Sequence, residues 1–177
     1  MDPLTGKEAA SRVQGMINPK YQIHGYAVDL TVRNIYAVDP VGQVDFGGNE
    51  YIPAGKIPVG TQRHHREDKY QWYDLGRGAY FVEFNETLEL AEDEIAVLEP
   101  EERLLRAGAG HGTLFLRGRV APIETLLLVD AIRIQIKQNA RLSRLRIFRF
   151  TPSRAPIEPI AKRAAARPKK AARKRRR

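Results

Sequence analysis

The sequence predicts an all-β fold with a short N-terminal helix and a disordered basic C-terminal tail. Three features favour this fold class: many short apolar segments between turn residues, a helix-capping signal near the start, and an Ala/Lys/Arg/Pro-rich end. Short strands at close intervals are typical of a β-sandwich or barrel. The 177 residues suffice for one domain with a core, which we place at residues 1–150, followed by a linker and tail over 151–177.

The first predicted element is a short amphipathic helix near the N-terminus. Thr5 and Glu8 stand three residues apart, the spacing of a capping box, in which each side chain bonds the backbone of the other. Ala9, Val13 and Ile17 then recur at helical spacing. We therefore expect one face of this helix to pack on the domain.

The chain then changes to the two-residue period of a β-strand. In YAVDLTVR, residues 26–33, Val28, Leu30 and Val32 alternate with Asp29 and Thr31, which predicts a half-buried strand. The polar, aperiodic segment 61–74 is predicted to be a surface loop. Further short strands are predicted around 51–52 and at 80–84, 87–90, 95–98, 113–116, 125–129, 132–137 and 141–150.

Composition excludes several kinds of site. The chain has no cysteine, so it has no disulfide and no thiolate zinc site, and it lacks the Cys-x-x-Cys pair of zinc-dependent nucleoside deaminases. His64 and His65 could suggest a metal site, but adjacent residues of an extended chain point to opposite sides, which favours a solvated loop. No apolar run approaches 18 residues, so we expect a cytoplasmic protein with no membrane partner.

The charge of the chain is concentrated in its tail. Residues 161–177 hold ten of the 30 basic residues and no acidic ones, which leaves 1–160 with a net charge of −1. Such a segment favours nonspecific binding of nucleic acid or another polyanion, although a solvated extension is the simpler alternative. The cluster of tail residues expected to contact phosphates is Lys169, Lys170, Arg173, Lys174, Arg175, Arg176 and Arg177.

Residues 78–108, GAYFVEFNETLELAEDEIAVLEPEERLLRAG, resemble the family that contains dUTPase and dCTP deaminase, and within it they are most similar to the dCTP deaminase-like members. The upstream GYAVDL (25–30) and the downstream NARLSRLRIF (139–148) are similar to the first and last motifs of that family. The resemblance covers roughly residues 5–150, with four motifs in the family's order. Within 78–108, the residues that match family motifs are Asn85, Glu86, Pro100, Leu104, Arg106 and Gly108.

This resemblance implies a dUTPase-like distorted β-barrel of the β-clip type, assembled as a homotrimer. It implies a deoxynucleoside triphosphate as ligand, Mg²⁺ accompanying the nucleotide in an active pyrophosphatase, and no zinc. The residues implied in nucleotide or phosphate binding are Asp29, Arg103, Arg106, Arg141 and Arg144. Arg106 has an alternative, an ion pair with Glu101 or Glu102.

The catalytic carboxylate is the least certain part of the resemblance. In the deaminases a glutamate activates water for attack on C4 of cytosine, and in the pyrophosphatases an aspartate activates water for attack on a phosphate. The motif that carries the aspartate is matched here by Ala121 and Ile123, which have no carboxylate. Asp130 and Glu124 are the weak candidates for the missing base.

The phosphate-binding motif is altered as well. Glu101, Glu102 and Arg103 stand where the family has an arginine and two serines, and a carboxylate repels phosphate and donates no hydrogen bond. We therefore expect altered or lost catalysis. Three hypotheses remain open: an active triphosphate enzyme, a non-catalytic relative that binds a nucleotide or protein, and a trimeric scaffold whose basic tails bind nucleic acid.

Overall fold

The computed structural model describes residues 1–39 and 41–150, so the predicted linker and tail lie outside the described residues. Its three helices are short: α1 (Gly6–Ala10), α2 (Pro19–Gln22) and α3 (Glu102–Arg106). None of these helices has the length and apolar character needed to span a bilayer. Strands form most of the described chain, which confirms the all-β prediction.

The strands are antiparallel throughout the described residues and vary widely in length. The long strands form the body of the large sheet, and the short ones pair at its edges or form the small sheet. In chain order they are β1 (Asp2–Pro3), β2 (Val13–Gln14), β3 (Ile23–His24), β4 (Ala27–Val38), β5 (Lys56–Pro58), β6 (Thr61–Gln62), β7 (Trp72–Phe84), β8 (Thr87–Glu89), β9 (Glu94–Pro100), β10 (Ala109–His111), β11 (Leu114–Leu116), β12 (Arg119–Val120), β13 (Glu124–Lys137) and β14 (Arg141–Arg149).

Two sheets enclose one core. The large curled sheet has the strand order β10-β13-β7-β4-β14-β9-β11, with β1, β3, β5 and β6 pairing at its flanks, and the small sheet has the order β12-β8-β2. Alternate residues of the long strands point into the core, which is filled by aliphatic side chains such as Leu30, Leu98, Leu127 and Ile147. This distorted, barrel-like arrangement positions α3 between β9 and β10.

The N-terminal helix is shorter than its spacing predicted. The capping box is confirmed, because the Thr5 backbone donates to Glu8 (2.8 Å) and the Glu8 backbone donates to Thr5 Oγ1 (3.4 Å). The helix nevertheless ends at Ala10, and Val13 lies in β2, paired with Leu88. Val13 is buried as a strand residue, so its spacing from Ala9 reflected the core and not a continuing helix.

The strand predicted as half-buried is buried on both faces. Residues 27–32 of β4 are all buried, including the polar Asp29 and Thr31. Thr31 donates through its backbone (2.8 Å) and hydroxyl (2.6 Å) to the carboxylate of Glu86, which also accepts from Gln22 (2.7 Å). Burial raises the pKa of Glu86. The polar face is therefore satisfied inside the protein and not by water.

Three smaller predictions also differ from the structure. The strands expected at 125–129 and 132–137 are one long strand, β13, whose pairing with β7 shifts register between Val129 and Arg133. The strand expected around 51–52 is a single bridge between Gln43 and Ile52. The loop expected at 61–74 is shorter than predicted, because its first two residues form β6 and β7 begins at Trp72.

Candidate functional site

Helix α3 and the glycine loop after it form the centre of the candidate site. Glu101 is the N-cap of α3, and the backbone of Ala107 closes the helix by donating to the Arg103 and Leu104 carbonyls. Gly108 follows with φ of +83°, and a Cβ at this position would lie 2.8 Å from the Cβ of Ala131. Only glycine fits this turn without strain, so the loop keeps a defined backbone shape.

A buried ion-pair cluster lies beside α3. Asp29 is fully buried and accepts from His24 (2.7 Å), from Arg141 (3.2 Å) and from Arg144 Nε (3.1 Å). Arg144 is the cross-strand partner of Asp29 in the β14–β4 pairing, so the register of the sheet brings the two residues together. The carboxylate of Asp29 is therefore held by three cationic or protonatable side chains.

The same arginine joins this cluster to α3. Arg144 Nη2 also donates to the carboxylate of Glu101, which is 5% exposed, while Arg103 Nε lies 3.7 Å from that carboxylate. The Glu102 side chain is 73% exposed and pairs with Arg106 at 2.5 Å. Of the two glutamates in the altered motif, one therefore faces the interior and one faces solvent.

Two chambers open on either side of Leu105, which lines both. The Glu101 chamber, a cavity of about 410 Å³, is lined by Glu99, Glu101, Arg144 and Arg146 among others. Glu99 is already bonded to Arg146 there. Glu99 and Glu101 are thus each neutralised inside the chamber, while the exposed Glu102, which also lines it, pairs with Arg106 outside.

The His111 chamber lies on the other side of Leu105 and has a volume of about 330 Å³. Its walls include His111 and Asp130, brought together because β10 pairs with β13 and the Asp130 backbone donates to Gly108 (2.9 Å). His111 Nδ1 donates to the Gly112 carbonyl (2.8 Å), so Nε2 accepts from the Ser143 hydroxyl (2.7 Å). Burial lowers the pKa of His111, which favours this neutral imidazole.

The predicted nucleotide-binding residues are only partly brought together. Asp29, Arg141 and Arg144 meet in one cluster, and Arg103 lies at its edge. Arg106 does not line either chamber, because its exposed side chain is paired with Glu102, the structural alternative stated for it.

The two candidate bases are far apart. Glu124 and Asp130 lie six residues apart on β13, about 20 Å along the strand. Both lie on the outward face of β13, where Glu124 pairs with Lys56 and Asp130 lines the His111 chamber. The catalytic roles of both residues stay predictions.

Comparison with known proteins supports the resemblance. The chain is 28% identical over 141 residues to a probable deoxyuridine 5'-triphosphate nucleotidohydrolase of Methanosarcina acetivorans, covering 77% of each chain. It is 26% identical over 170 residues to the protein of the same name from Archaeoglobus fulgidus, covering 92% of this chain and 96% of the relative. No protein-family model matches the chain.

The fold gives an independent comparison. The 2'-deoxycytidine 5'-triphosphate deaminase of Agrobacterium tumefaciens superposes on 82% of this chain with a TM-score of 0.60 and 15% identity. The chain is therefore similar in sequence to probable dUTPases and in fold to a dCTP deaminase. It spans about half the length of that deaminase, since the match covers 48% of the larger chain.

A Mg²⁺ ion that accompanies a nucleotide needs only one or two protein carboxylates, because phosphate oxygens and water supply its other ligands. Among residues 1–39 and 41–150, no group of three or more His, Asp or Glu side chains is arranged to hold a metal ion. The carboxylates nearest the altered motif, Glu99, Glu101 and Glu102, are each paired with an arginine. Oxygen ligands for a hard cation would have to be taken from those pairs.

Sequence reasoning missed two parts of this site. It did not connect His111 with Ser143, because the two residues lie 32 positions apart in sequence and meet only in the folded chain. It also left the direction of Glu101 open. For the second, the sequence offered Arg144 as a possible cationic partner, but nothing in it placed that arginine beside Glu101.

Proposed function

We propose that this chain is a dUTPase or dCTP deaminase relative of deoxynucleoside triphosphate metabolism in which phosphate binding and catalysis are altered or lost. The observation that carries the proposal is the buried carboxylate of Glu101, bonded to Arg144 inside the cleft. This carboxylate stands in the motif that holds phosphate in the relatives. The anion site is thus filled by a side chain of the protein itself.

The energetics oppose the entry of a triphosphate. Two like charges 4 Å apart repel by about 4 kcal/mol at an effective dielectric constant of 20. Displacing Glu101 from Arg144 would instead leave a buried carboxylate without its partner, which costs about 3–5 kcal/mol. Asp29 already neutralises Arg141 and shares Arg144, so the cluster has little positive charge left for a ligand.

An altered activity would depend on the His111 chamber. Asp130 is exposed there and has room for water beside it, so it is the residue placed to activate a water for attack on a base or phosphate. Arg141 and Arg144 would then hold the triphosphate, with Arg106 able to turn from its exposed pair. Glu124 would serve only a ligand bound near Lys56, about 20 Å along the strand from Asp130.

Calorimetric titration of dCTP, dUTP and dTTP, each with Mg²⁺, into the full chain at 150 mM salt tests the proposal. We expect no saturable heat with the native chain. Glu101→Gln removes the competing charge while keeping the shape, so it is expected to gain a saturable site for at least one nucleotide. The matched control is Glu102→Gln, which removes an exposed charge on the next residue and should behave as the native chain does.

Native binding at one site per subunit, with release of ammonia or pyrophosphate that Asp130→Asn abolishes, would contradict the loss of function. It would establish the active hypothesis instead. If Glu101→Gln binds no nucleotide either, an accessible cation is not enough, and the cleft also lacks other groups that nucleotide binding requires.

A second candidate function is a trimeric scaffold whose basic tails bind nucleic acid. The observation that favours it is the charge distribution, ten basic residues in 161–177 against a net charge of −1 for the rest. The outward face of β13 carries exposed Leu126 and Leu128, and apolar surface of this kind supports self-association. Light scattering is expected to give a mass near three times the 20.1 kDa chain, and a monomer would contradict the trimer.

A further inference from the structure

Residues 41–54 form a projecting arm between β4 and β5. The backbones of Gln43 and Ile52 bond each other across it (2.8 and 2.9 Å). At its tip the Asp45 carboxylate accepts from the backbones of Gly48 (2.9 Å) and Glu50 (3.1 Å). The arm is therefore a braced hairpin that already has a defined shape before it meets a partner.

The arm exposes apolar side chains that nothing in the described chain covers. Phe46 at the tip is fully exposed, and Val41, Val44 and Tyr51 are each more than half exposed. A set of large apolar side chains on one short hairpin is costly in water and marks an interaction surface. The arm also carries Asp45 and Glu50 and no basic residue.

An apolar pocket of about 310 Å³ lies elsewhere on the same chain, and we call it the Trp72 pocket. Leu104 of α3, Ile134 and Ile136 of β13 and Leu142 of β14 form its walls, with Trp72 at the side. Engineered apolar cavities of about 150 Å³ accept a benzene molecule. The Trp72 pocket is therefore large enough for one phenyl ring and part of a second side chain.

The rim of the Trp72 pocket has the charge opposite to that of the arm. Lys137 lies over the Trp72 indole at 5.2 Å, and Arg103 is exposed with its nearest carboxylate contact at 3.7 Å. Arg141 also lines the pocket, although Asp29 holds it. Two available cations at the rim match the two carboxylates of the arm.

We propose that the arm of one copy of this chain docks in the Trp72 pocket of a second copy, with Phe46 as the apolar anchor. Asp45 and Glu50 then lie against the Lys137 and Arg103 rim. Each copy offers one arm and one pocket, so the contact is head to tail and closes into a ring when the rotation between neighbours allows. The proposal does not depend on whether the cleft binds nucleotides.

Disulfide trapping tests this contact directly, because the chain has no cysteine of its own. Gly47→Cys places a thiol beside Phe46, and a Cβ there meets only the Asn49 and Asp45 side chains at 3.7 and 3.8 Å. Gln135→Cys places the second thiol at the exposed side of the pocket. Full-length chains that carry one cysteine each are mixed under mild oxidation, so a mixed disulfide forms only between two copies.

The mixed disulfide is expected at least tenfold above a matched control in which Gly60→Cys, a loop glycine with open space around it, replaces the arm cysteine. Phe46→Ser in the arm chain should lower the yield at least tenfold. Lys137→Glu in the pocket chain should also lower it, and Glu50→Lys in the arm chain should restore it. The rescue shows that charge pairing, and not misfolding, sets the yield.

Two results would overturn the proposal. One is a mixed disulfide no more abundant than with the Gly60→Cys control, which would leave the pocket to another ligand. The other is a disulfide that forms only within one chain carrying both Gly47→Cys and Gln135→Cys, which would mean that the arm folds back onto its own pocket.

Discussion

Replacing Glu94 with glutamine is expected to lower the free energy of unfolding by about 3 kcal/mol at pH 7. The Glu94 side chain is fully buried and accepts from Arg12 (2.8 and 3.0 Å), from Arg149 (2.8 Å) and from the backbone of Ala91 (3.1 Å). These bonds tie the N-terminal segment, β9 and the end of β14 together. Chemical denaturation of both proteins at pH 7 measures the difference.

The pH dependence of the unfolding free energy tests whether the charge of Glu94 causes this difference. The bond from Arg12, together with that from Arg149, lowers the pKa of Glu94 from 4.5 to about 2. Because the folded-state pKa is the lower one, the stabilisation is fully present above pH 4.5 and is lost as the pH falls through about 2. The gap in unfolding free energy between the native chain and Glu94→Gln should therefore close over that window.

Glu99→Gln on the same strand is the matched control. Glu99 also pairs with an arginine, Arg146, but its side chain is 41% exposed, so water screens the pair. Exposed pairs contribute about 0–1 kcal/mol, and the control should lose no more than that. A loss for Glu94→Gln as small as that of the control, or a gap unchanged between pH 7 and pH 2.5, would show that the buried pair does not stabilise the fold.

Much of the fold was predictable because the chain encodes it locally. The Thr5 and Glu8 capping box, the turn at Gly108 and the two-residue period of the strands depend on neighbours in sequence. The burial of both faces of β4 was not predictable from alternation. In the sequence, Asp29 and Thr31 have the spacing of solvent-facing residues. In the fold they bond to Arg144 and Glu86, which lie more than fifty positions away in the chain.

The same distinction between local and long-range information applies to the candidate site. The motif order predicted the resemblance that the comparisons support, and the altered phosphate site inferred from the replacement of an arginine and two serines stays a prediction. The sequence could not tell that Glu101 turns inward, because its partner Arg144 reaches it only when β14 and β4 pair in the observed register. Sheet register is set by the whole core, and a single motif contains no information about it.

Removing the basic tail by truncation after residue 160 is expected to abolish nucleic-acid binding by this protein. The tail lies outside the described residues, and the argument depends on its ten basic residues in seventeen positions. If six to ten of them contact phosphates, the affinity of the full chain should fall by about 10³–10⁵ between 50 and 200 mM salt. Fluorescence anisotropy with a labelled 20-mer, as duplex and as single strand, measures both quantities.

A full-length variant with all ten tail cations replaced by glutamine separates charge from chain length. It should bind as weakly as the truncated chain, since counterion release and not chain contact supplies the affinity. The tail has no aromatic residue, so duplex and single strand of one sequence should not differ through base stacking. Equal binding by the full and truncated chains would place the nucleic-acid contact in residues 1–160. Because that part has a net charge of −1 and no general attraction for a polyanion, the result would require a specific binding site there.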